Sequence, residues 1–161
     1  RQEEALAEHL VVNPELSPLA DAYLPLDMIA DGVCRGIVEA CLRAHRERRE
    51  VMGVIAEADN EAREFSSLAA RARAPAMIKS DYSSPEEAVK LLILRIRTAA
   101  LQRRLRALAE SRQAAREGRG PPLDAGGLAA LAREESQIRY DIHLLKQWNT
   151  AVPYMESSAA G

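Results

Sequence analysis

Two stretches of the sequence repeat apolar residues at alternating steps of three and four, which is the spacing of a coiled-coil seam. Their members are Leu91, Leu94, Thr98, Leu101, Leu105 and Leu108 in the first stretch, and Leu128, Leu131, Glu135, Ile138, Ile142 and Leu145 in the second. Thr98 and Glu135 are the polar members of the two rows. Two such rows in one chain predict two helices that pack along their length.

Local signals set the ends of these two predicted helices. Ser84-Pro85-Glu86-Glu87 combines a capping serine, a proline at the first helical position and a glutamate three residues after the cap, which is typical of a helix N-terminus. Gly118-Arg119-Gly120-Pro121-Pro122 must interrupt the helix, because glycine and proline are poor helix formers. Asp124 can cap the next helix, which should extend to about Trp148.

An antiparallel hairpin would bring the two apolar rows together. Leu108 then faces Leu128, and the pairs continue at the same spacing until Leu91 faces Leu145. This register places the turn at Gly118, where the break in the helix begins. Two features of the sequence therefore agree on one hairpin.

Shorter helical patterns fill the first 80 residues. Start signals or apolar periodicity predict helices over Gln2 to Val12, after Asn13-Pro14-Glu15, after Asp27 or Asp31, at Val51 to Ile55 and after Asn60. We therefore predict a helical bundle over residues 1–83, a helical hairpin over 84–149 and a tail over 150–161.

Composition supports an all-α fold, with a small multi-helix bundle followed by a long antiparallel helical hairpin. The chain has one Phe, four Tyr and one Trp, whereas strands favour aromatic and β-branched residues. Ala, Leu, Arg and Glu are strong helix formers and dominate the sequence. No apolar run reaches the roughly 18 residues of a membrane span, so we expect no membrane association.

Charge is divided unevenly along the chain. The net charge is −2, but residues 1–84 carry 10 basic and 15 acidic groups, whereas residues 85–161 carry 12 basic and 9 acidic groups. Eight arginines and two glutamates lie between Arg95 and Arg119. The predicted bundle is therefore acidic and the predicted hairpin basic.

Residues that could carry chemistry are few. Cys34 and Cys41 would lie roughly 10 Å apart on one helix, too far for a disulfide, and with His45 they lack a fourth zinc ligand. His9 and His143 are isolated, and the sequence has no phosphate-binding or hydrolase motif. We expect reduced thiols, no metal, no cofactor, no small-molecule substrate and no catalytic site in this chain.

A second set of apolar residues flanks the seam. Tyr140, Leu144 and Trp148 recur every four residues, and Val89, Leu92, Ile93 and Ile96 lie at the base of the long helix. They either dock the hairpin onto the bundle or form a partner-binding patch. The candidate partner-binding residues are Arg139, Tyr140, His143, Lys146, Gln147 and Trp148 on the last helix, with Arg103, Arg104 and Arg106 opposite.

These features together resemble the C-terminal helicase-binding domain of bacterial DNA primases. That family begins with a short helix that leads into a turn like Asn13-Pro14-Glu15-Leu16, and it continues with a long Leu- and Arg-rich helix like the one opened by Ser84-Pro85-Glu86-Glu87. The order of a small bundle and then a hairpin covers nearly the whole chain.

The resemblance implies a role as an adaptor. The hairpin would dock on the N-terminal domains of the hexameric replicative helicase in the bacterial cytoplasm, at the replication fork. The chain begins at Arg1, so we expect a fragment, with the family's zinc-binding and RNA-polymerase domains upstream. The full-length parent would be a DNA primase, a DNA-directed RNA polymerase, and this segment would not be catalytic.

Two other interpretations stay open. The N-terminal domain of the replicative helicase has a similar bundle and hairpin, and would be followed by an ATPase domain. A stand-alone coiled-coil interaction protein would self-associate. Clustered arginines can also neutralise phosphate, but the basic segment lacks aromatic stacking residues, so we expect direct nucleic-acid binding to be weak.

Overall fold

The computed structural model describes residues 1–74 and 84–147. The α-helices are α1 (Gln2–Val12), α2 (Ser17–Tyr23), α3 (Gly32–Glu47), α4 (Val51–Ala58), α5 (Glu64–Arg73), α6 (Pro85–Arg116) and α7 (Ala125–Gln147). Short 3-10 turns occupy Pro14–Leu16 and Leu26–Met28. No strand occurs in these ranges, and the predicted all-α fold is confirmed. The predicted tail over 150–161 lies outside the described residues.

The chain divides into two compact units, and the division falls inside α6, between Arg97 and Thr98. The sequence placed the boundary between residues 83 and 84, before this helix begins. The difference has a physical reason, since the first turns of α6 carry apolar side chains that are buried in the first unit. These are Val89, Leu92, Ile93 and Ile96, each at most 1% exposed.

The first unit is organised around α3, which contacts α1, α2, α4 and α5. Its apolar face carries Ile37, Val38 and Cys41, which are almost completely buried. Leu10 of α1 and Ile55 of α4 are buried as well. Full burial of a side chain of this size stabilises a fold by about 1.5–3 kcal/mol, so this core holds the unit together.

Acidic side chains accept hydrogen bonds from the first backbone amides of three helices in the first unit. Asp31 Oδ1 accepts a hydrogen bond from the Cys34 amide at 2.8 Å, and Glu50 accepts from two amides at the start of α4. Asp59, which the sequence did not single out, accepts from the first amides of α5, with Asn60 beside it. Asn13 was predicted to cap a helix, but its side-chain amide instead donates back to the His9 carbonyl at 3.1 Å.

Glu3 links α1 to the start of α3. Its two carboxylate oxygens accept hydrogen bonds from the amides of Ala30 and Asp31, each at 2.8 Å. The residues are 27 and 28 positions apart in sequence. These bonds satisfy backbone donors just before the helix begins, and they fix where α3 starts relative to α1.

The second unit is a helical hairpin formed by the end of α6 and by α7. Leu108, Ile138 and Ile142 form its buried core, and Leu101, Leu105 and Leu131 pack against them. The predicted caps are present at both helices, since Ser84 Oγ accepts from the Glu87 amide at 3.2 Å and Asp124 Oδ1 accepts from the Gly127 amide at 2.7 Å.

The register of the hairpin differs from the predicted one. Arg112 Nη1 donates to Glu135 Oε2 at 2.9 Å, whereas the predicted register places Glu135 opposite Leu101. Arg112 and Leu101 are separated by about 16 Å along the helix at about 1.5 Å per residue, further than these two side chains can span. Leu128 is also 41% exposed, although it was predicted to face Leu108, which is 3% exposed. The predicted register is therefore wrong.

A displacement of one heptad accounts for the contacts. It keeps the same side chains on the seam, and it brings Leu108 to the level of Glu135 and Leu105 to the level of Ile138. The error came from centring the turn on Gly118. The connection between the helices runs from the end of α6 at Arg116 to the start of α7 at Ala125, so its middle lies beyond Gly118.

Candidate functional site

Most of the predicted partner-binding residues lie on α7 and share one side of that helix. Arg139, His143 and Lys146 follow at steps of four and three, which makes them neighbours on the helix surface. Tyr140 and Gln147 lie one position further round. All five are exposed. Tyr140 is one of the six aromatic residues of the chain, and it is 57% exposed. Trp148, the last predicted member, lies outside the described residues.

Few internal contacts hold the cations on this side of α7. Arg139 Nη1 lies 3.8 Å from Glu135 Oε2, and 63% of the arginine side chain is exposed. His143 Nε2 and Gln147 Nε2 lie 2.9 Å apart. Lys146 forms no ion pair within the described residues.

Arg104 has a different role from the one predicted for it. Its Nε donates to Glu134 Oε1 at 2.7 Å and joins α6 to α7. This hydrogen bond is the main reason why the pKa of Arg104 is raised above its ordinary value. Both side chains are largely exposed, so the pair contributes little to stability. It nevertheless marks which side of the hairpin Arg104 occupies.

Four basic residues lie on the opposite side from this pair. At about 100° per residue, Arg106 is rotated about 160° from Arg104 on α6. On α7, Arg139, His143 and Lys146 are rotated between about 120° and 180° from Glu134. We call Arg106, Arg139, His143 and Lys146 the basic face of the hairpin.

Carboxylates of α7 avoid the basic face. Asp141 lies within about 20° of Glu134 around the helix, on the side of the Arg104 pair, and it accepts a hydrogen bond from Gln137 at 3.0 Å. Glu135 lies in the seam and is 3% exposed. The solvent-accessible carboxylates of α7 therefore lie away from the basic face, whereas on α6 the exposed Glu110 follows Arg106 by one helical turn. The distribution of charge on α7 suits an acidic partner surface.

The three predicted arginines of α6 therefore have different surroundings. Arg106 joins the cations of α7, Arg104 is engaged by Glu134, and Arg103 is exposed on the outer side of α6, away from the seam. The sequence interpretation missed Arg112, the partner of Glu135. Continuing the heptad row by four residues past Leu108 would have found it, because that step places Arg112 on the seam.

The first unit offers little reactive chemistry. Burial raises the pKa of both the Cys34 and the Cys41 thiol to about 12, so both stay protonated and unreactive at neutral pH. Burial also lowers the pKa of His9. Within residues 1–74 and 84–147, no group of three or more His, Cys, Asp or Glu side chains is arranged to hold a metal ion.

No helix in the described ranges is both long and apolar enough to cross a lipid bilayer.

Comparison with known proteins identifies no relative of this chain. No family model matches the sequence, and neither a curated protein nor a solved structure matches it. The functional interpretation therefore rests on the residues and on their geometry.

Proposed function

We propose that this chain is the helicase-interaction domain of a bacterial DNA primase. It acts as an adaptor and not as a catalyst. It holds the primase on the N-terminal domains of the hexameric replicative helicase while primers are made at the replication fork, in the cytoplasm. The rest of the primase, with its zinc-binding and RNA-polymerase domains, would precede this segment.

The order of the elements is the first support. A short α1 leads into the 3-10 turn Pro14–Leu16, and several short helices follow before one helix of 32 residues and its antiparallel partner. This is the order that the primase domain would have. The turn matters because Asn13-Pro14-Glu15-Leu16 is one of the two sequence features on which the resemblance depends.

The basic face of the hairpin is the observation that carries the proposal. A hairpin that acts only as a spacer needs no one-sided distribution of charge. Here Arg139, His143 and Lys146 of α7 lie on one side, with exposed Tyr140 at its edge, and Tyr and Arg are enriched among residues that dominate binding energies. Docking through this side explains why a small, nearly neutral chain keeps four basic groups together.

Charge reversal on this face tests the proposal. Lys146→Glu should weaken binding to the isolated N-terminal domain of the replicative helicase by at least about tenfold. Loss of one partner of a hydrogen-bonded charge pair that is buried at an interface costs about 2 kcal/mol or more. Arg133→Glu makes the same change of charge on an exposed residue of α7 outside the basic face, and it should bind normally. Biolayer interferometry at low and at high salt would measure both affinities.

Two results would count against the proposal. If the unaltered chain forms no complex at low salt, where charge contacts are strongest, the helicase is not the partner. Equal weakening by Lys146→Glu and Arg133→Glu would mean that the basic face is not the docking surface. Sedimentation of the chain alone tests the coiled-coil alternative, for which self-association is expected.

A further inference from the structure

We propose that the Arg112–Glu135 ion pair selects the register of the hairpin from two registers that differ by one heptad. Glu135 is 3% exposed and lies on the seam, where a coiled coil ordinarily places an apolar residue. Its Oε2 accepts from Arg112. Its Oε1 is buried without a hydrogen-bond partner.

The apolar seam by itself does not favour the observed register. In the observed register, Leu105 faces Ile138 and Leu101 faces Ile142. In the register displaced by one heptad, Leu105 faces Leu131 and Leu108 faces Leu128. Each register therefore joins leucine or isoleucine across the seam of the second unit at two levels. The displaced one would also set Leu94 against Ile142 and Leu91 against Leu145, and it would cover Leu128, which is 41% exposed.

The surface ion pair does not choose either. Arg104 and Glu134 differ in level by about 7 Å along the axis in the observed register and by about 3 Å in the displaced one, at about 1.5 Å per residue. Both offsets are within the reach of an arginine. The ion pair between Arg104 and Glu134 can therefore form in either register.

The buried carboxylate of Glu135 does favour the observed register. In the displaced register Glu135 would face Leu101 and lie about 16 Å along the axis from Arg112. The buried carboxylate would then lose the hydrogen bond from Arg112 and keep only the longer 3.8 Å contact with Arg139 of its own helix. Loss of the hydrogen-bonded partner of a buried charge is strongly destabilising. Arg112 is suited to its role because its side chain is 35% exposed, so the guanidinium remains partly hydrated while it reaches the carboxylate. Polar seam residues that fix register are known in coiled coils.

Cysteine pairs on the exposed side of the hairpin report the register without altering the core. Ala132→Cys with Ala109→Cys brings two thiols to nearly the same level in the observed register. Ala132→Cys with Gln102→Cys does so in the displaced register, because Gln102 lies one heptad before Ala109. All three positions are exposed. The native thiols will not compete at pH 8, since the pKa of Cys34 and of Cys41 is raised to about 12.

In the otherwise unaltered chain, oxidation should close the Ala109→Cys pair and leave the Gln102→Cys pair open. Glu135→Leu removes the buried charge, and the displaced register then has at least as many apolar pairs as the observed one, so the Gln102→Cys pair should then close to a comparable or higher yield. Arg112→Leu provides a second variant, because Glu135 then lacks the Arg112 hydrogen bond in both registers and the preference should be lost. Arg104→Ala is the matched control and should leave the preference unchanged.

Circular dichroism and thermal melting would verify that each variant is folded. Glu135→Leu is expected to fold, because replacing a buried charge with an apolar residue is often neutral or stabilising. The proposal is overturned if the Gln102→Cys pair closes equally well while Glu135 and Arg112 are present. It is also overturned if Glu135→Leu and Arg112→Leu both leave that pair open in folded protein.

Discussion

Gly36 lies where α3 meets α5, directly under the ring of Phe65. A Cβ placed on Gly36 would lie only 2.5 Å from Cε2 of this ring. The backbone of Gly36 is helical and needs no special conformation, so a glycine is required here for space alone. The sequence shows a glycine inside a helix, which weakens the helix. Only the packing of Phe65 explains why it is there.

Replacing this glycine should destabilise the first unit. Gly36→Ala gains helix propensity, about 1 kcal/mol, but forcing a methyl group against a packed ring costs about 1–3 kcal/mol, so the free energy of unfolding should fall. Gly53→Ala in α4 is the control, because its added Cβ would meet Glu50 Oε2 at an ordinary 3.7 Å. It should leave stability unchanged or raise it by up to about 1 kcal/mol. Urea unfolding would measure both, and a stabilised Gly36→Ala would contradict the packing described.

At the scale of elements, α3 depends on how its N-terminus is capped. The sequence offered Asp27 and Asp31 as alternatives, and the structure gives the role to Asp31. The amide of Cys34 donates to Asp31, and this hydrogen bond is the main cause that lowers the pKa of the carboxyl group. Asp27 lies in the 3-10 turn Leu26–Met28, and its side chain is exposed.

The two aspartates should differ in their effect on stability. Asp31→Ala removes the cap and should lower the free energy of unfolding by about 1 kcal/mol. Asp27→Ala removes an exposed carboxylate that caps nothing and should change it by less than about 0.5 kcal/mol. Thermal melting followed by circular dichroism compares them at neutral pH. Equal losses for the two variants would mean that the cap is not what holds the start of α3.

Helix positions could be predicted from local signals, whereas pairing between helices could not. Ser84 and Asp124 cap the two long helices as predicted, because a cap depends on residues only three positions away. The register of the hairpin was missed because a heptad row permits every shift of seven residues. What selects among the shifts is a contact between Arg112 and Glu135, 23 positions apart.

The candidate site shows the same division between local and distant information. Arg139, His143 and Lys146 share a side of α7 simply because of helix periodicity, so the sequence could group them. The sequence grouped Arg104 with the partner-binding residues. Only the structure shows that Glu134 lies beside it and forms an ion pair with it. Two exposed arginines two positions apart look equivalent in a sequence, and only the second helix makes Arg104 and Arg106 different.

The lowered pKa values of several acidic side chains and of His9 all make the whole molecule less stable as the pH falls. Hydrogen bonds from backbone amides lower the pKa of Asp31 and of Glu50, and a hydrogen bond from Arg49 lowers the pKa of Glu57. Burial lowers the pKa of His9. In each case the unfolded chain binds a proton more readily than the folded chain does, so acid favours unfolding.

The chain should therefore lose stability in two stages as the pH falls. The first stage begins near 6.5, the ordinary pKa of histidine, as the pH moves toward the lower pKa of folded His9. The second begins near 4.5, the ordinary pKa of glutamate, as carboxylates take up protons. Melting temperatures between pH 8 and pH 3 would measure this, with His9→Gln as the variant that should lose only the first stage. A melting temperature that stays constant from pH 7 to pH 4 would contradict it.

Helix α6 runs without interruption through the boundary between the two units. Its 32 residues span about 48 Å at about 1.5 Å per residue. Elsewhere in proteins such a junction is commonly a flexible linker, which absorbs motion. Arg97 and Thr98, on either side of the division, are instead consecutive members of one hydrogen-bonded helix. A sharp bend at this point would therefore require backbone hydrogen bonds of α6 to break.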